Sequence, residues 1–528
     1  MSKRPDMSSS LPARTIRWRL IVVIATLIAF SPVVRHEFGG WDDEHNLTLN
    51  PQMNPPTWSA VASYWRAPKF DLYAPVTWTV WSALARAGYI ANAPSPDSHL
   101  NPYLFHTANL ALHATSALLA FELLRRVFGN DALVASAVGA LVFALHPVQV
   151  EPVAWLSGLK DVLAGTLSLA AMILFLDSTR DARTRCGRYS IAMIVFALAL
   201  LSKPSAVVVP AILIIIGFLD RNVLIRRTLL RFAPVLIVAL GAAILSQRIQ
   251  SAKHLETIAW TQRPLIAADA LTFYLGKIVW PAHLAVDYGR TPQRVLASGS
   301  ARWILIVPVL LAGSLLIWLR IARNRNAADA RIAIAAILLI VIGVAPVLGF
   351  LPFDFQEYST VADHYLYLAM LGPALLVGWL VLRTKQVVIA SILLTILGVL
   401  SWRQSRTWHD ALTIAEQTVA VNPSPSVWGD RLTRLLLGRA NESARQGDDA
   451  NAIAAYRRVI DRDPNNAIAL ANLASVLASN GKADEAIPLY ERALRIDPSL
   501  ESARIGLERA RSAPAPAPAP APTPGQPE

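Results

Sequence analysis

Long apolar runs alternate with short basic segments over the first 402 residues of the chain. The chain is 54% hydrophobic and only 16% charged, with a mean hydropathy of +0.41, which excludes an ordinary soluble protein of this length. This pattern predicts an all-α, polytopic membrane helix bundle, although several runs are shorter than the roughly 20 residues of an ideal spanning helix. About eleven predicted spans lie near residues 20–34, 104–124, 132–146, 162–176, 189–202, 205–219, 232–247, 303–319, 332–351, 365–382 and 387–402.

The basic residues between the runs predict the orientation of the bundle. Arg14, Arg17 and Arg19 precede the first run, an uncleaved signal anchor, and arginine or lysine recurs in every second segment between runs. Because positively charged segments stay in the cytoplasm, we expect a cytoplasmic N-terminus and an external C-terminal part. Residues 265–280 would reverse this order if they spanned the membrane, so we predict an external helix lying on its surface. The basic segments account for the net charge of +13, and we expect no nucleic-acid partner.

Beyond Trp402 the sequence repeats itself with a period of 34 residues. Tyr456 and Tyr490 are one such pair, and Pro464 and Pro498 are another. This period is typical of tetratricopeptide repeats, which stack into an α-solenoid and either bind a partner peptide or brace their neighbours. Residues 411–423 resemble the second helix of an earlier, degenerate repeat. We divide the chain into an N-tail (1–19), a transmembrane domain (20–402) with a large first external loop (35–103), a repeat domain (403–512) and a disordered Ala-Pro tail (513–528).

Acidic residues cluster just after the first apolar run. Asp42, Asp43 and Glu44 follow Trp41 on the predicted external side. They are either helix-capping acids of a solvated loop or carboxylates that work at the membrane surface, where one of them can take a proton from an incoming hydroxyl. Neighbouring oxygen donors can also hold a divalent cation, but this series lacks a diagnostic ligand spacing.

Polar side chains also occur inside and at the ends of the predicted spans. His106, Asn109 and His113 share one face of the second span, where hydrogen bonds between helices are a more economical explanation than direct catalysis. His146 and Glu151 each precede a proline, and we expect these prolines to end the helices and expose the loop between them.

Three basic residues are candidates for binding an anion on the external side. Lys160 forms either a local ion pair with Asp161 or a contact with a lipid phosphate. Lys203 lies in a very short turn between two apolar runs, and a phosphate is the economical partner for its ammonium group. A protonated His364 can contact a phosphate, with Asp363 orienting its ring.

Tyrosines accompany this last motif. An aromatic belt at the membrane interface can include Tyr358, Tyr365 and Tyr367. For Tyr367 we favour that interpretation. Tyr365 follows His364 directly. The supporting residues of the predicted site are His106, His146, Glu151, Asp363 and Tyr365.

Read in order, seven motifs between about residues 36 and 500 resemble one known family. They are Trp41-Asp42-Asp43, Tyr73-Ala74-Pro75-Val76-Thr77-Trp78, the stretch from His106 to His113, the stretch from His146 to Trp155, Lys160-Asp161-Val162-Leu163, Leu201-Ser202-Lys203-Pro204, and Ala362-Asp363-His364-Tyr365-Leu366-Tyr367. Together they resemble bacterial multispanning proteins with C-terminal tetratricopeptide repeats. These in turn look like the animal TMTC proteins, which are membrane O-mannosyltransferases of the GT-C class.

The resemblance implies a GT-C glycosyltransferase with a site facing away from the cytoplasm. Its catalytic acid falls on Asp42 with Asp43 beside it, and Lys160, Lys203 and His364 are the candidates for binding the donor phosphate. The family usually has arginine where His364 stands. The implied donor is a polyprenyl-phosphate-linked sugar, the acceptor is a protein or an envelope glycan, and the implied location is a bacterial inner membrane with the repeats in the periplasm.

Two other functions fit parts of the pattern. A non-catalytic membrane scaffold would use the bundle to anchor the repeats for an export or polysaccharide-synthesis complex. Unpaired acids and an intramembrane histidine stripe favour the enzyme, because a mere anchor has no reason to tolerate their desolvation. A ligase or polymerase of the O-antigen type predicts a long external loop late in the bundle, whereas the longest loop here is the first.

Overall fold

The computed structural model describes residues 10–93, 99–178, 185–219, 225–249, 258–298, 305–322, 327–424 and 427–512. Over these ranges the protein is helical with three isolated β-bridges and no strand, which confirms the predicted all-α class. The chain divides into two compact units, residues 1–422 and 423–528. The predicted Ala-Pro tail lies outside the described residues.

The α-helices of the first unit follow the predicted apolar runs and add several short elements between them. They are α1 (Ser10–Ala29), α2 (Trp58–Arg66), α3 (Pro75–Ala87), α4 (Pro102–Phe128), α5 (Leu133–Leu145), α6 (Val150–Ala154), α7 (Leu159–Ser178), α8 (Arg185–Leu200), α9 (Val209–Leu219), α10 (Ile225–Ile249), α11 (Arg263–Val279), α12 (Pro292–Ala297), α13 (Ile306–Ala322), α14 (Ala327–Val344), α15 (Leu371–Thr384), α16 (Val387–Ser405) and α17 (Ala411–Val421).

Local sequence signals set the ends of the central helix α4. The side-chain oxygen of Asn101 accepts a hydrogen bond from the backbone N–H of Tyr103 at 3.0 Å, and Pro102 occupies the first turn. Gly129 ends the helix with a φ of +107°, a conformation that L side chains rarely adopt. An N-cap, an early proline and a terminal glycine are the expected boundaries of a helix.

Five helices of the described chain are long and apolar enough to cross a membrane, or six if α5 and the bent segment that follows it form one span. The bend at the break between these two pieces is 55°. Other predicted runs lie on shorter helices; for example, the run predicted at 365–382 begins with a separate turn at Asp363–Leu366, and α15 starts only at Leu371. The number of eleven spans therefore stays a prediction.

The loop after α5 is buried, so the expectation that its prolines would expose it is wrong. Every residue from His146 to Leu159 is buried. The carbonyl group of Phe143, which Pro147 leaves without a helical partner, accepts a hydrogen bond from the Gln149 amide at 3.0 Å. A side chain of α4 binds two more carbonyl groups, at the end of α6 and just after it. The amide of Asn109 donates to the carbonyl oxygens of Val153 and Trp155 at 3.3 and 2.9 Å.

The next turn of the same face of α4 also forms hydrogen bonds between helices. The His113 ring lies 3.0 Å from the hydroxyl oxygen of Tyr367 and 3.1 Å from the carbonyl oxygen of Ala144. Tyr367 is only 3% exposed, so the interpretation of this residue as part of an interfacial belt is wrong. A buried hydroxyl needs a partner, and His113 provides it.

An ion-pair network ties α1, α4 and α7 together at one end of the bundle. Glu122 contacts Arg19 at 2.7 Å, Arg125 at 2.9 Å and Arg126 at 3.1 Å, and Arg126 also contacts Asp177 at 2.8 Å. Because Asp177 lies in the last turn of α7, this network is at the opposite end of that helix from the residues of the candidate site.

The second unit consists of paired helices, as the 34-residue period predicts. They are α18 (Val427–Arg445), α19 (Asp449–Arg462), α20 (Ala467–Ser479), α21 (Ala483–Ile496) and α22 (Glu501–Ser512). Gly447 and Gly481, with φ of +73° and +74°, occupy equivalent turns. Helix α17, which we interpreted as part of an earlier repeat, belongs to the first unit.

Candidate active site

Asp43 joins the first loop to the segment that precedes α7. Its Oδ1 atom accepts hydrogen bonds from the backbone N–H and the hydroxyl of Ser157 at 2.8 and 2.7 Å, and its Oδ2 atom accepts one from Gly39 at 3.2 Å. Asn46 donates to the Ser157 hydroxyl oxygen at 3.1 Å. Burial raises the pKa of Asp43 to about 7 against the lowering effect of the Ser157 hydrogen bonds. Both oxygens are therefore engaged, so the idea of unpaired acids is wrong for this residue.

Asp42 is the more accessible of the two carboxylates. Its side chain is 38% exposed, and its Oδ2 atom lies 3.4 Å from the Nζ atom of Lys160. The Lys160 ammonium group also lies 5.1 Å from the ring centroid of Trp155. The interpretation of Lys160 as the local partner of Asp161 is wrong, because Lys160 and Asp161 form ion pairs with two other residues.

The partner of Asp161 is Lys203. Their side chains form a short, largely buried ion pair, and the Lys203 ammonium group lies 5.4 Å from the ring centroid of Tyr365. Burial lowers the pKa of Lys203, and Asp161 opposes this effect. The turn is fixed from the first loop, since the Thr77 hydroxyl donates to the carbonyl oxygen of Ser202 at 2.9 Å. The Asp161 carboxylate therefore already neutralises the Lys203 ammonium group, for which the sequence predicted a phosphate as partner.

Glu151, not Asp363, orients the His364 ring. Its carboxylate accepts a hydrogen bond from the backbone N–H of His364 at 3.0 Å and contacts the ring Nδ1 atom at 2.8 Å. Asp363 instead accepts from the Tyr288 hydroxyl, which lies 2.9 and 3.0 Å from its two oxygens. Burial lowers the pKa of His364 well below its usual range, and the charges of Lys203 and Lys160 lower it further. Our expectation that Asp363 holds His364 in position is wrong.

A narrow cavity of about 30 Å³ lies beside the Asp161–Lys203 and Glu151–His364 pairs. Its polar lining includes Asp161, Ser205, His364 and Tyr365, while the rest of its wall is made mostly of small and aliphatic residues. Those are Ala164, Gly165, Ala206, Val208, Gly343, Pro346, Val347 and Leu368. A few convergent polar groups beside an apolar wall are the usual lining of a small-molecule site, and this cavity combines the two.

Two predicted supporting residues lie apart from this group. The Nε2 atom of His106 is 3.2 Å from the carbonyl oxygen of Glu37, and its ring packs edge-on against His36. The Nε2 atom of His146 is 3.0 Å from the carbonyl oxygen of Ile278. Over the described ranges, no three His, Cys, Asp or Glu side chains come close enough together to hold a metal ion.

The structure brings five of the other predicted residues, together with Asp161, into three neighbouring pairs: Asp42 with Lys160, Asp161 with Lys203, and Glu151 with His364. Sequence reasoning missed the roles of Ser157 and Tyr288. Ser157 lies between the His146–Trp155 and Lys160–Leu163 motifs, and that position was its only signal. The sequence places Tyr288 among the polar residues on the external side, but nothing in it links Tyr288 to Asp363.

Comparison with known proteins supports two parts of this description. Residues 437–501 match the tetratricopeptide repeat family. A stretch of 77 residues is 40% identical to the Homo sapiens protein O-mannosyl-transferase TMTC1 and 42% identical to its Mus musculus counterpart. A stretch of 151 residues is 25% identical to Mus musculus protein O-mannosyl-transferase TMTC4.

These matches cover small parts of each chain. The TMTC1 matches span 14% of this chain and 8% of each relative, and the TMTC4 match spans 24% and 20% respectively. The expected similarity to the TMTC proteins and the presence of the repeats are thereby confirmed. The apolar helices and these relatives together indicate a membrane protein.

Proposed function

We propose that this protein is an inverting glycosyltransferase that moves a sugar from a polyprenyl-phosphate donor to a hydroxyl group of a protein or an envelope glycan. The observation that carries the proposal is the position of Asp42, which is accessible and lies beside Lys160 next to the Asp161–Lys203 and Glu151–His364 pairs. A general base and a set of cations are what the transfer needs.

In the proposed reaction Asp42 accepts the proton of the acceptor hydroxyl. The hydroxyl oxygen attacks the anomeric carbon of the donor sugar and forms the new glycosidic bond. The bond between that carbon and the phosphate oxygen breaks, its electron pair stays on the phosphate, and polyprenyl phosphate leaves. Lys160 and Lys203 stabilise the negative charge that develops on the leaving group. Asp42 then releases its proton to water.

The cavity supports this assignment of the donor. Its polar end carries His364 and lies beside the Asp161–Lys203 pair. When a phosphate enters there, its oxygens replace the protein carboxylates as the partners of the cations. Its aliphatic wall has the chemistry that isoprene units need, because burying a methyl-branched chain removes apolar surface from water, and the cavity of about 30 Å³ must widen to admit them.

The repeats are proposed to select or present a protein acceptor, because tetratricopeptide repeats commonly act as protein-binding surfaces. We further propose that the protein resides in a bacterial inner membrane with a cytoplasmic N-terminus and with Asp42 and the repeats in the periplasm. The basic segments between the apolar runs support this orientation.

The proposal is tested by profiling glycoproteins and envelope glycans by mass spectrometry in cells that lack the protein. The cells are complemented with the wild type, with Asp42→Asn, or with Asp71→Asn at matched expression. Asp71 is an exposed residue of the same loop with a φ of +55°, which asparagine tolerates, and therefore makes a matched control. We expect one glycan mass to disappear in the null strain and in Asp42→Asn, and to return with the other two.

A non-catalytic scaffold is the second candidate, because the same ion pairs and the Asp43–Ser157 contact hold distant loops together. If Asp42→Asn restores every glycan profile, the assignment of Asp42 as the base is wrong and the scaffold becomes the better explanation.

A further inference from the structure

A continuous strip of aromatic rings lies between Asp42 and the cavity. The ring centroids of Trp41 and Tyr358 are 5.0 Å apart, those of Tyr358 and Phe355 are 6.0 Å apart, and those of Phe355 and Tyr365 are 6.3 Å apart. We name these four residues the aromatic strip. All four are partly exposed, so the strip forms a surface and not an internal core.

The two ends of the strip lie at the two functional parts of the proposed site. Trp41 is bonded directly to Asp42, the proposed general base. Tyr365 lines the cavity, and its ring faces the Lys203 ammonium group at 5.4 Å. In a lipid-linked donor the sugar is covalently bonded to the phosphate. It must therefore lie between the cations that bind the phosphate and the base that activates the acceptor.

The backbone at Trp41 is held in an unusual conformation. Gly40 and Trp41 have φ of +69° and +58°, and the second value is uncommon for a bulky residue. Such conformations cost free energy, and they persist where the surrounding structure imposes them. This turn brings the Trp41 indole edge-on to Tyr358.

The polar groups around the strip suit a ligand rich in hydroxyl groups. Glu357 precedes Tyr358 and Asp42 follows Trp41 in the chain. Burial raises the pKa of the Tyr358 hydroxyl, and the charges of Glu357, Asp42 and Asp287 raise it further. Carboxylates accept hydrogen bonds from hydroxyl groups, while the C–H groups on one face of a pyranose ring carry partial positive charge and are attracted to the negative face of an aromatic ring. Aromatic rings beside carboxylates therefore offer both kinds of contact that a sugar ring makes.

We infer that the aromatic strip binds the sugar ring of the lipid-linked donor and thereby sets the selectivity of the enzyme for its sugar. This inference rests on the proposed glycosyltransferase function and adds the position of the transferred sugar to it. The strip holds the ring while Lys203 holds the phosphate, so a donor makes two separable contacts. Loss of the strip weakens only the contact with the sugar.

The experiment measures binding to the full-length protein in lipid nanodiscs. The probes are farnesyl phosphate and its mannosyl, glucosyl and N-acetylglucosaminyl phosphodiesters. We expect the wild type to bind at least one glycosylated probe about tenfold more tightly than farnesyl phosphate, from the stacking of one ring. Trp41→Leu and Tyr358→Leu should remove this preference and leave farnesyl phosphate affinity within about twofold. Tyr358→Phe should retain most of it, and Trp58→Leu, an exposed tryptophan of the same loop outside the strip, should retain all of it.

The outcomes separate the inference from the proposed function. If the wild type binds farnesyl phosphate but prefers no glycosylated probe, the role of the strip is wrong and the proposed function stands. The same conclusion follows if the preference survives both leucine substitutions. Farnesyl phosphate that does not bind the wild type contradicts the proposed donor. A soluble oligosaccharide is the last probe: if the leucine variants lose its binding and keep their preference among lipid probes, the strip binds the acceptor and the inference is wrong. Binding of farnesyl phosphate serves as the control for correct folding of each variant.

Discussion

Glu151 accepts a hydrogen bond from the backbone N–H of His364 at 3.0 Å and contacts its ring Nδ1 atom at 2.8 Å, although 213 residues separate the two in sequence. Burial raises the pKa of Glu151 well above its usual range and lowers that of His364, so the two groups share one proton between Oε1 and Nδ1, and Nε2 is the nitrogen left for a ligand. His364 lines the cavity, so the protonation of this nitrogen changes the charge that a bound phosphate meets.

This geometry makes donor binding depend on pH. Burial, Lys203 and Lys160 lower the pKa of His364, so its ring is neutral in the empty site, and a bound phosphate anion raises that pKa again. Binding therefore takes up a proton, and affinity should rise as the pH falls from about 8 to 5. The measurement is the Kd of mannosyl farnesyl phosphate, whose phosphodiester charge is constant over this range. His364→Arg should flatten the profile because its cation is permanent, and an unchanged slope in this variant contradicts the role of His364.

Asp43 makes the stability of the protein depend on pH in a separate way. Burial raises its pKa from 3.8 to about 7 in the folded state. A carboxyl group with a raised pKa stabilises the folded state fully when the pH is below the pKa of the unfolded state. That contribution is lost as the pH rises through the pKa of the folded state, about 7. Asp43→Asn has no proton to lose. The change in Tm between about pH 5 and pH 7.5 should therefore be smaller in this variant than in the wild type by a few degrees. Equal changes in Tm for the two proteins would show that Asp43 does not titrate in this range.

Substitutions in the Asp161–Lys203 pair test stability and catalysis separately. Lys203→Met leaves a buried carboxylate without its partner and should cost about 3–5 kcal/mol in the free energy of unfolding. The double variant Lys203→Met with Asp161→Leu has no uncompensated charge and should regain most of this stability. Because Lys203 is proposed to hold the donor phosphate, the double variant should stay inactive. The checks are thermal unfolding in nanodiscs and recovery of the glycan mass in complemented cells. Recovered activity in the double variant would exclude Lys203 from the reaction.

Gly165 forms the close contact between α7 and Tyr367. A Cβ atom at this position would overlap the Tyr367 ring, which His113 holds by a hydrogen bond at 3.0 Å. Gly165→Ala should therefore reduce stability by about 1–3 kcal/mol. Gly241 in α10 has open space around its missing side chain, and Gly241→Ala should be neutral or stabilising by up to about 1 kcal/mol. Thermal unfolding of the two variants side by side tests this difference, and equal Tm values would mean that the Tyr367 ring moves freely.

Much of the fold follows from local sequence. Apolar runs and basic segments predict the helices of the first unit, since helix formation in a membrane depends on length and hydropathy. Asn101 and Gly129 mark the two ends of α4 by their local chemistry. The 34-residue period predicts the helical pairs of the second unit because equivalent residues of each repeat pack in the same way. The acidic cluster and the three candidate cations were also recognised without the structure.

The choice of partners was not local. Lys160 and Asp161 are neighbours in sequence, but consecutive residues of a helix point about 100° apart, and each of these two side chains meets a different loop. Lys160 contacts Asp42 across 118 residues, and Asp161 contacts Lys203 across 42. In the same way His364 is held by Glu151 and not by the adjacent Asp363.

By itself the sequence determined that the chain is helical, where most of the apolar helices lie, and which polar residues are candidates for the site, because these depend on composition and spacing. Only the tertiary structure decided that Asp43 is buried while Asp42 is accessible, and that Ser157 and Tyr288 hold carboxylates of the site. The physical reason is that burial and ion pairing depend on which distant segments pack together. The identity of adjacent residues in sequence does not determine that packing.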